Sequence, residues 1–200
     1  MRRSREKQDP ESLGIEEIEA DSKKGCNRTM EIRQAVTADL PEIQKVYDAA
    51  RHFMRAHGNP TQWAGGYPQE ELLRQDIEKK QLYVCVEEGQ MVGSFAFIPG
   101  VDPTYLVIEQ GDWHENRPYA AVHKVASSGQ VKGVTRACFD FCSAHSDYLR
   151  MDTHHDNLPM QNAMKKYGFR QCGIIHLADG SPRIAFDYLR KCKNDGEKET

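Results

Sequence analysis

The stretch that decides the fold is YAAVHKVASSGQVKGVTRACFDFCSA, residues 119–144. Its first part, 119–126, is mostly apolar and predicts a strand. A turn-rich loop with two serines and two glycines follows at 127–133, and apolar residues then recur at helical spacing from Val134. A helix that begins directly after such a loop presents unpaired backbone N–H groups and a partial positive charge, which suits a phosphate. The loop is therefore either a phosphate-binding site or a plain strand-to-helix turn that uses glycine for its conformation.

Two common phosphate motifs are excluded at this loop. It contains no GxxxxGK[ST], so it is not a P-loop, and no GxGxxG, so a dinucleotide-binding fold is not indicated. Gly133 would let an anion approach the backbone closely, and Lys132 would add a charged contact.

Hydrophobic patterns on both sides of this stretch predict the rest of one domain. Strands are predicted at 30–36, 81–87, 91–98, 104–109, 148–153, 169–177 and 182–189, and helices at 40–58, 68–80, 134–144 and 159–167. Hairpin turns are expected at 88–90 and 178–181. This order predicts an α/β fold with a mixed sheet, about six to seven strands flanked by about four helices.

The two ends of the chain differ from this compact part. Residues 1–29 carry seven charges of each sign and few apolar side chains, which predicts a flexible charged extension, with a short helix at 12–20. Residues 191–200 form a similar tail. The domain is therefore expected to span 30–190.

Composition excludes several classes of function. The 200 residues carry a net charge of -3, so no basic excess points to nucleic acid or a membrane surface, and no apolar run is long enough to cross a membrane. The N-terminus has no secretory signal pattern, so a cytoplasmic location is expected. The six cysteines form no CxxC pair and are expected to be reduced core residues. Cys138 and Cys142 lie one helical turn apart, but without a matching ligand pair we expect no metal.

The central loop resembles the acetyl-CoA loop of the GNAT superfamily of N-acetyltransferases. That family's pattern is Arg or Gln, two residues, Gly, one residue, then Gly or Ala. Gln130 and Gly133 match it, whereas Thr135 is larger and β-branched. A second segment is similar too, with Asn157, Ala163 and Gly168-Phe169 in the family's order on the next helix.

The resemblance extends from about residue 30 to residue 189. Glu31-Ile32-Arg33-Gln34-Ala35 with Asp39-Leu40 and Ile43 is similar to the family's opening strand and helix, and Val92-Gly93 to its third strand. The resemblance implies a GNAT-like acyl-CoA N-acyltransferase fold with acetyl-CoA as co-substrate. It places the cofactor-binding residues at Val125, Gln130, Val131, Lys132, Gly133, Val134, Thr135 and Asn157. Asn157 also suits an N-cap, and the two roles can coexist.

In the family, an amine attacks the thioester directly, so the protein must align the reactants, accept a proton and stabilise an oxyanion. Many members protonate the leaving thiolate with a tyrosine on the helix before Gly-Phe. Met164 stands at that position here. Tyr167 is close, but it occupies a position that is an apolar core residue in the family, so we expect it to be packed.

Three residues are candidates for proton transfer in catalysis. His154 follows the predicted strand 148–153, and His123 and Tyr119 share a face of the predicted strand before the loop. For the histidines the alternative is an exposed loop residue or an ordinary strand residue. Glu109 and Glu115 are further candidates for the acceptor side.

The loop at 58–67 is rich in glycine, amides and aromatic residues, a composition often found in functional loops. The resemblance places it over the acceptor pocket, with Asn59, Gln62, Trp63 and Tyr67 as substrate-binding residues. Trp63 would serve equally well as a hydrophobic plug.

The sequence therefore predicts an N-acetyltransferase acting on a primary amine of a small molecule, amino acid or peptide. Two alternatives remain open: an acyl-CoA-binding or regulatory domain without catalysis, which Thr135 and Met164 favour, and an acetylase that recognises a protein surface. Exposed sheet edges make a homodimer a further expectation.

Overall fold

The computed structural model describes residues 30–190. The predicted extension at 1–29, its helix at 12–20, the tail at 191–200 and two of the six cysteines lie outside the described residues. Within 30–190, seven strands and four α-helices follow one another as β1 (Glu31–Gln34), α1 (Leu40–Ala56), α2 (Glu70–Glu78), β2 (Leu82–Glu87), β3 (Gln90–Pro99), β4 (Ala120–Ser127), α3 (Val134–His145), β5 (Tyr148–Thr153), α4 (Leu158–Tyr167), β6 (Arg170–His176) and β7 (Pro182–Leu189). These numbers of strands and helices confirm the predicted architecture.

The seven strands form one mixed sheet in the order β1-β2-β3-β4-β5-β7-β6. All neighbouring strands are antiparallel except β4 and β5, which are parallel. These two strands pair only at Ala120↔Leu149 and Ala121↔Arg150. Beyond that point each strand continues without the other, so the centre of the sheet opens into a V.

A β-bulge lies on β4 where the V opens. The register with β3 moves from Ala96↔His123 to Ser94↔Ala126, so β4 uses one residue more than its partner. The extra residue bends the strand and redirects its backbone groups. Lys124 takes a left-handed conformation there, with φ of +55°.

Three apolar clusters hold the layers together. The largest joins α3 and α4 to one face of the sheet and contains Phe95, Phe139, Met164 and Phe186. A second packs α1 and α2 on the opposite face of β1 to β4, since the buried stripe of α1 (Leu40, Ile43, Val46, Tyr47, Ala50) faces β3 and β4. Cys85, Cys138, Cys142 and Cys172 are free and buried, as the expectation of reduced core residues requires.

The third cluster is built by residues 100–119, which cover the β5-β7-β6 half of the sheet. A strand predicted at 104–109 is wrong. Pro103–Tyr105 forms a 3₁₀ turn, because Pro103 fixes its own φ and the Asp102 carboxylate accepts the Thr104 N–H. Only Glu109 pairs like a strand, through one bridge to Ile174. The buried side chain of Tyr105 anchors this segment, in place of the alternating apolar and polar residues expected of a strand.

Local sequence explains several element boundaries. The β2–β3 hairpin turns at Glu88 and Gly89, both with positive φ, which matches the right-handed twist of the strands. Asn157 caps α4 by accepting the Met160 N–H at 3.2 Å, and Gly168 ends the same helix in the left-handed region. The predicted N-cap role of Asn157 is therefore confirmed.

Candidate functional site

A cleft of about 1430 Å³ occupies the V between β4 and β5. Its walls come from the C-terminal half of α1, residues 61–69, β4 from residue 122, β5 from residue 151 and the first turns of α4. Residues 102 and 104 close it on the side of the long β3–β4 connection, and residues 177–183 border its far end. The cleft therefore crosses the sheet and has access to both of its faces.

The bulge on β4 is held in place from the α1 side. The Tyr47 hydroxyl donates to the Lys124 carbonyl at 2.9 Å, and the Lys124 ammonium lies 2.9 Å from the Asp76 carboxylate. Burial raises the pKa of Tyr47 far above its ordinary value, so the phenol stays a donor. Because the bulge is fixed, the backbone of β4 beyond it keeps one orientation toward the cleft.

The start of α3 has the features of an anion-binding site. Gly133 precedes the helix with φ of +91°, and no side chain caps the first-turn N–H groups. A Cβ at Gly133 would meet no atom within 4 Å, so the space beside the helix start is open. Gly93 brings β3 close to this helix, since a Cβ there would lie 2.4 Å from Val134 Cγ1.

The eight predicted cofactor-binding residues separate into three groups. Val125, Thr135 and Asn157 line the cleft. Val131 and Val134 turn their side chains into the core, leaving only backbone for a ligand. The remaining three are exposed at the loop and do not border the cleft as described: Gln130, Lys132 and Gly133.

Sequence reasoning missed Ser127, Ser128 and Gly129 as cleft residues. The two serine hydroxyls accept the N–H groups of Gly129 and Gln130, which shapes the turn before α3. The signal was present, because serine two residues before a turn N–H is typical of this side-chain hydrogen bond.

His123 lies at the centre of a polar network in the cleft. Its Nε2 is 2.8 Å from Asp102 Oδ2, and its Nδ1 is 3.7 Å from Asp152 Oδ1. Asp152 in turn accepts the Tyr105 hydroxyl at 2.7 Å. Burial raises the pKa of Tyr105 and its neighbour Asp152 raises it further, so the phenol remains a donor. The network thus joins a histidine to two carboxylates from different elements.

The charge of Asp102 fixes the tautomer of His123. Burial opposes ionisation of Asp102, but hydrogen bonds from His123 and Thr104 outweigh it and hold the pKa of the carboxyl well below its usual value. An ionised carboxylate can only accept, so Nε2 must carry the proton. In the neutral ring Nδ1 is then a free acceptor, on the side of the 3.7 Å gap to Asp152.

The other two predicted catalytic residues take different places. Tyr119 does not border the cleft; its hydroxyl accepts the Asp102 N–H at 2.9 Å, so it supports the loop that carries Asp102. His154 borders the cleft, and its Nδ1 accepts the Asp156 N–H at 3.2 Å. Burial, then His155 and Arg183, lower the pKa of His154, which favours its neutral form.

Glu109 and Glu115 do not border the cleft. Glu109 pairs its backbone with β6, and the Glu115 carbonyl accepts a hydrogen bond from Arg150 at 3.1 Å. Both residues therefore hold the long connection onto the sheet.

Gln62 ties the predicted substrate loop to the opposite wall. Its carbonyl accepts from Asn59 Nδ2 at 2.7 Å and from Asn157 Nδ2 at 2.8 Å. Gln62, Trp63 and Tyr67 border the cleft, whereas Asn59 is buried below the loop. Trp63 meets the Tyr47 ring edge to face at 5.6 Å, so it is both a packed residue and part of the wall.

The helix α4 offers no hydroxyl to the cleft at the expected position. Met164 is fully buried in the core, and Met160 and Ala163 form the wall instead. Tyr167 packs among Phe139, Phe169 and Tyr188, with its hydroxyl 2.8 Å from Ser143 Oγ. Tyr167 does not border the cleft, in agreement with the expectation of a packed side chain.

Sequence reasoning also missed Asp102, Tyr105, Asp152 and Arg183. These residues come from the long connection, from β5 and from β7, and only the folded sheet brings them to one place. Two sets of potential metal donors occur among the described residues, His114 with Cys172 and Asp187, and His154 with His155 and Asp156. Cys138 and Cys142 belong to neither set.

No described helix combines the length and the apolar character that a membrane crossing requires.

Comparison with known proteins identifies the fold. No family model matches the sequence, and neither does any curated protein. Among solved structures, a GNAT-family acetyltransferase from Streptococcus agalactiae is 28% identical, with a TM-score of 0.75 over 82% of this chain and 96% of that one.

Two more distant structures have the same fold. The ribosomal-protein-alanine N-acetyltransferase from Brucella melitensis is 19% identical, with a TM-score of 0.55 over 80% of this chain and 99% of that one. Ard1 from Thermoplasma volcanium is 14% identical, with a TM-score of 0.57 over 81% of this chain and 98% of that one. The chain therefore has the fold of GNAT-family acetyltransferases, which confirms the predicted fold and the resemblance stated above.

Proposed function

We propose that this protein transfers an acetyl group from acetyl-CoA to a primary amine by direct attack. The observation that carries the proposal is the coincidence of three features at one cleft. These are the V between β4 and β5, the uncapped start of α3 beside it, and His123 with a free Nδ1 facing it. Each feature meets one requirement of the reaction: space for a long thioester, a binding site for its phosphates, and a proton acceptor.

The residues present fit acetyl-CoA by their chemistry. First-turn N–H groups of α3 would bind the pyrophosphate, with Thr135 as an added hydroxyl donor. Backbone groups of β4 around Val125, freed where β4 and β5 separate, would pair with the pantetheine amides. The Asn157 amide, at the start of α4, would bind the same arm from the other wall.

His123 would take the proton that the amine loses. The amine nitrogen attacks the thioester carbonyl carbon, the carbon–sulfur bond breaks, and the thiolate leaves. An amine placed between His123 Nδ1 and Asp152 would be held by both groups, and the proton would pass to Nδ1 while Asp102 stabilises the resulting imidazolium. N–H groups of the bulged strand would stabilise the oxyanion. His154 directly follows β5, two residues beyond Asp152, and is better placed for binding than for this proton transfer.

A second candidate function is acyl-CoA binding without turnover, which the buried Met164 favours because it leaves the departing thiolate without a tyrosine donor at that position. Binding and turnover therefore need separate measurements.

The first test is calorimetric binding of acetyl-CoA and CoA to the whole chain, followed by thiol release with a panel of primary amines. Gly133→Asp should abolish binding, because it puts a carboxylate at the proposed anion-binding site, where it would repel the phosphates. Gly89→Asp is the matched control, since Gly89 also has positive φ and open space but lies in a hairpin turn. Binding with no turnover would select the second candidate. A folded native chain that binds neither ligand would overturn both.

A further inference from the structure

Arg183 is a buried cation that borders the cleft without a carboxylate partner. It lies on β7 and only 9% of its surface is exposed. Among the described residues, its guanidinium donates one hydrogen bond, at 3.0 Å, to the neutral carbonyl of Pro182. Within residues 30–190 it forms no ion pair. Burying a guanidinium without an anion costs free energy, so such a group is expected where an anionic ligand binds and pairs with it.

The charge of Arg183 acts on the inside of the cleft. It contributes to the pKa of Tyr67 and of His154, both of which border the cleft. It also borders a smaller depression that contains His155 and His176. Asp179, on the cleft rim, accepts hydrogen bonds from the N–H and hydroxyl of Ser181. These bonds and, less strongly, the charge of Arg183 lower the pKa of Asp179, but no ion pair joins the two side chains within the described residues.

His154 supplies a second donor beside Arg183. Thr153, the last residue of β5, pairs with Ile184 of β7, so continuing this register places His154 beside Arg183, whose charge acts on it. His154 Nδ1 accepts the Asp156 N–H, which leaves the ring proton of the neutral form on Nε2. A guanidinium and an imidazole N–H together match the two oxygens of a carboxylate.

The opposite end of the same wall is anionic. Asp152 and His123 form the proposed amine site, and Asp152 on β5 is two residues before His154, which directly follows that strand. Two residues of a strand span about 7 Å. This backbone spacing leaves room for the roughly 3 Å between the amine and the carboxylate of an amino acid plus a hydrogen bond at each end. A carboxylate-free amine would leave the guanidinium unpaired.

We propose that the acetyl acceptor is a free amino acid or a closely similar zwitterion, with its amine between His123 and Asp152 and its carboxylate on Arg183 and His154. This inference rests on the proposed function and narrows its substrate class. In a peptide the carboxyl group is part of an amide or lies far from the amine. A peptide amine would therefore supply no carboxylate to pair with the Arg183 guanidinium.

Acetyl transfer to matched acceptors tests this directly. Each proteinogenic amino acid is compared with its own carboxamide, which keeps the side chain and the amine but removes the negative charge. The native chain should prefer the acid form of its best acceptor at least tenfold in kcat/KM. Arg183→Gln should raise KM for the acid about 30- to 100-fold, the value of a lost charge-assisted bond, and leave the amide unchanged.

Arg183→Lys keeps the charge without the planar fork and should lie between the native chain and Arg183→Gln. Arg74→Gln on α2 is the matched control, because Arg74 is an exposed arginine that does not border the cleft. Equal use of acid and amide by the native chain, or an equal loss for both in folded Arg183→Gln, would overturn the proposal.

A binding measurement separates this proposal from the proposed function. Calorimetry with the N-acetyl form of each amino acid, and with its N-acetyl carboxamide, needs no turnover. Selective binding of an acid that is lost in Arg183→Gln but kept in Arg74→Gln would support the carboxylate site even if no acetyl transfer occurs. Failure of every acid to bind better than its amide would reject the site even if amines are acetylated.

Discussion

Two histidine–aspartate pairs lie on the same face of the sheet, and they differ in what surrounds them. His123 bonds to Asp102 at 2.8 Å at the cleft wall, and both side chains keep about a fifth of their surface exposed, 21% and 17%. His114 bonds to Asp187 at 2.9 Å, but Asp187 is fully buried under residues 100–119. The first pair leaves His123 Nδ1, on a residue that lines the cleft, unbonded to Asp102, as the proposed proton transfer requires.

The second pair uses its hydrogen-bonding capacity to hold the fold. Asp187 accepts the His114 N–H at 2.9 Å, the His114 ring at Nδ1 and the Tyr148 hydroxyl at 2.7 Å. Cys172 Sγ also lies 3.4 Å from the same Nδ1, so thiol and carboxylate meet one nitrogen rather than opposite sides of the ring. Burial, then Asp187, raise the pKa of Cys172 to about 12, which keeps the thiol protonated. In the proposed mechanism, identical pairs of side chains thus serve chemistry or stability according to their access to the cleft.

The sharpest way to break this comparison is to remove each histidine in turn. His123→Ala should lower kcat about 1,000-fold, the usual contribution of a general base, with little change in Tm. His114→Ala should leave kcat of the folded protein within a few-fold and lower Tm. Steady-state kinetics and thermal unfolding of both variants measure this. A His114→Ala protein that is folded but inactive would contradict the assignment of roles.

Asp187→Asn should reduce the free energy of unfolding by about 3 kcal/mol, because it removes the buried charge that accepts from His114 and from the buried Tyr148 hydroxyl. Urea denaturation gives this value. The kcat of the folded fraction should be nearly unchanged, since Asp187 does not border the cleft. A large loss of kcat with native stability would place Asp187 in the catalytic network instead.

Asp102→Asn should lower kcat/KM about tenfold near neutral pH, because an amide can support the wrong tautomer of His123. The pKa of Asp102 is lowered in the folded state, so its contribution to stability is complete above the ordinary value of 3.8 and is lost only in stronger acid. The stability difference between native chain and variant should therefore be flat from pH 5 to 8 and shrink below about pH 4. A difference that changes between pH 5 and 8 would contradict this.

The local structure around the starts of α3 and α4, where we propose that the cofactor binds, was largely predictable because its signals are local. Gly133, the helix after it and the N-cap at Asn157 are each encoded within a few residues, and short-range hydrogen bonds and backbone preferences decide them. His123 was found because it stands in the strand that leads to the loop.

The acceptor side was not predictable in the same way. Asp102, Asp152 and Arg183 lie far apart in the sequence, and nothing near any of them distinguishes it from a surface charge. The strand wrongly predicted at 104–109 hid the turn that brings Asp102 to His123. Asn59 was placed on the substrate side by its loop composition, but the carbonyl of Met54 accepts its N–H and draws it below the loop.

The position of β7 has a consequence for how the protein is made. This last described strand enters the sheet between β5 and β6 rather than at an edge. Synthesis proceeds from the N-terminus, so a nascent chain already carries the whole α3 loop and His123 while β5 and β6 still lack a shared neighbour. Arg183 and Asp187 arrive together on that strand. The acceptor half of the cleft can therefore form only after residues 182–189 have left the ribosome and paired with β5 and β6.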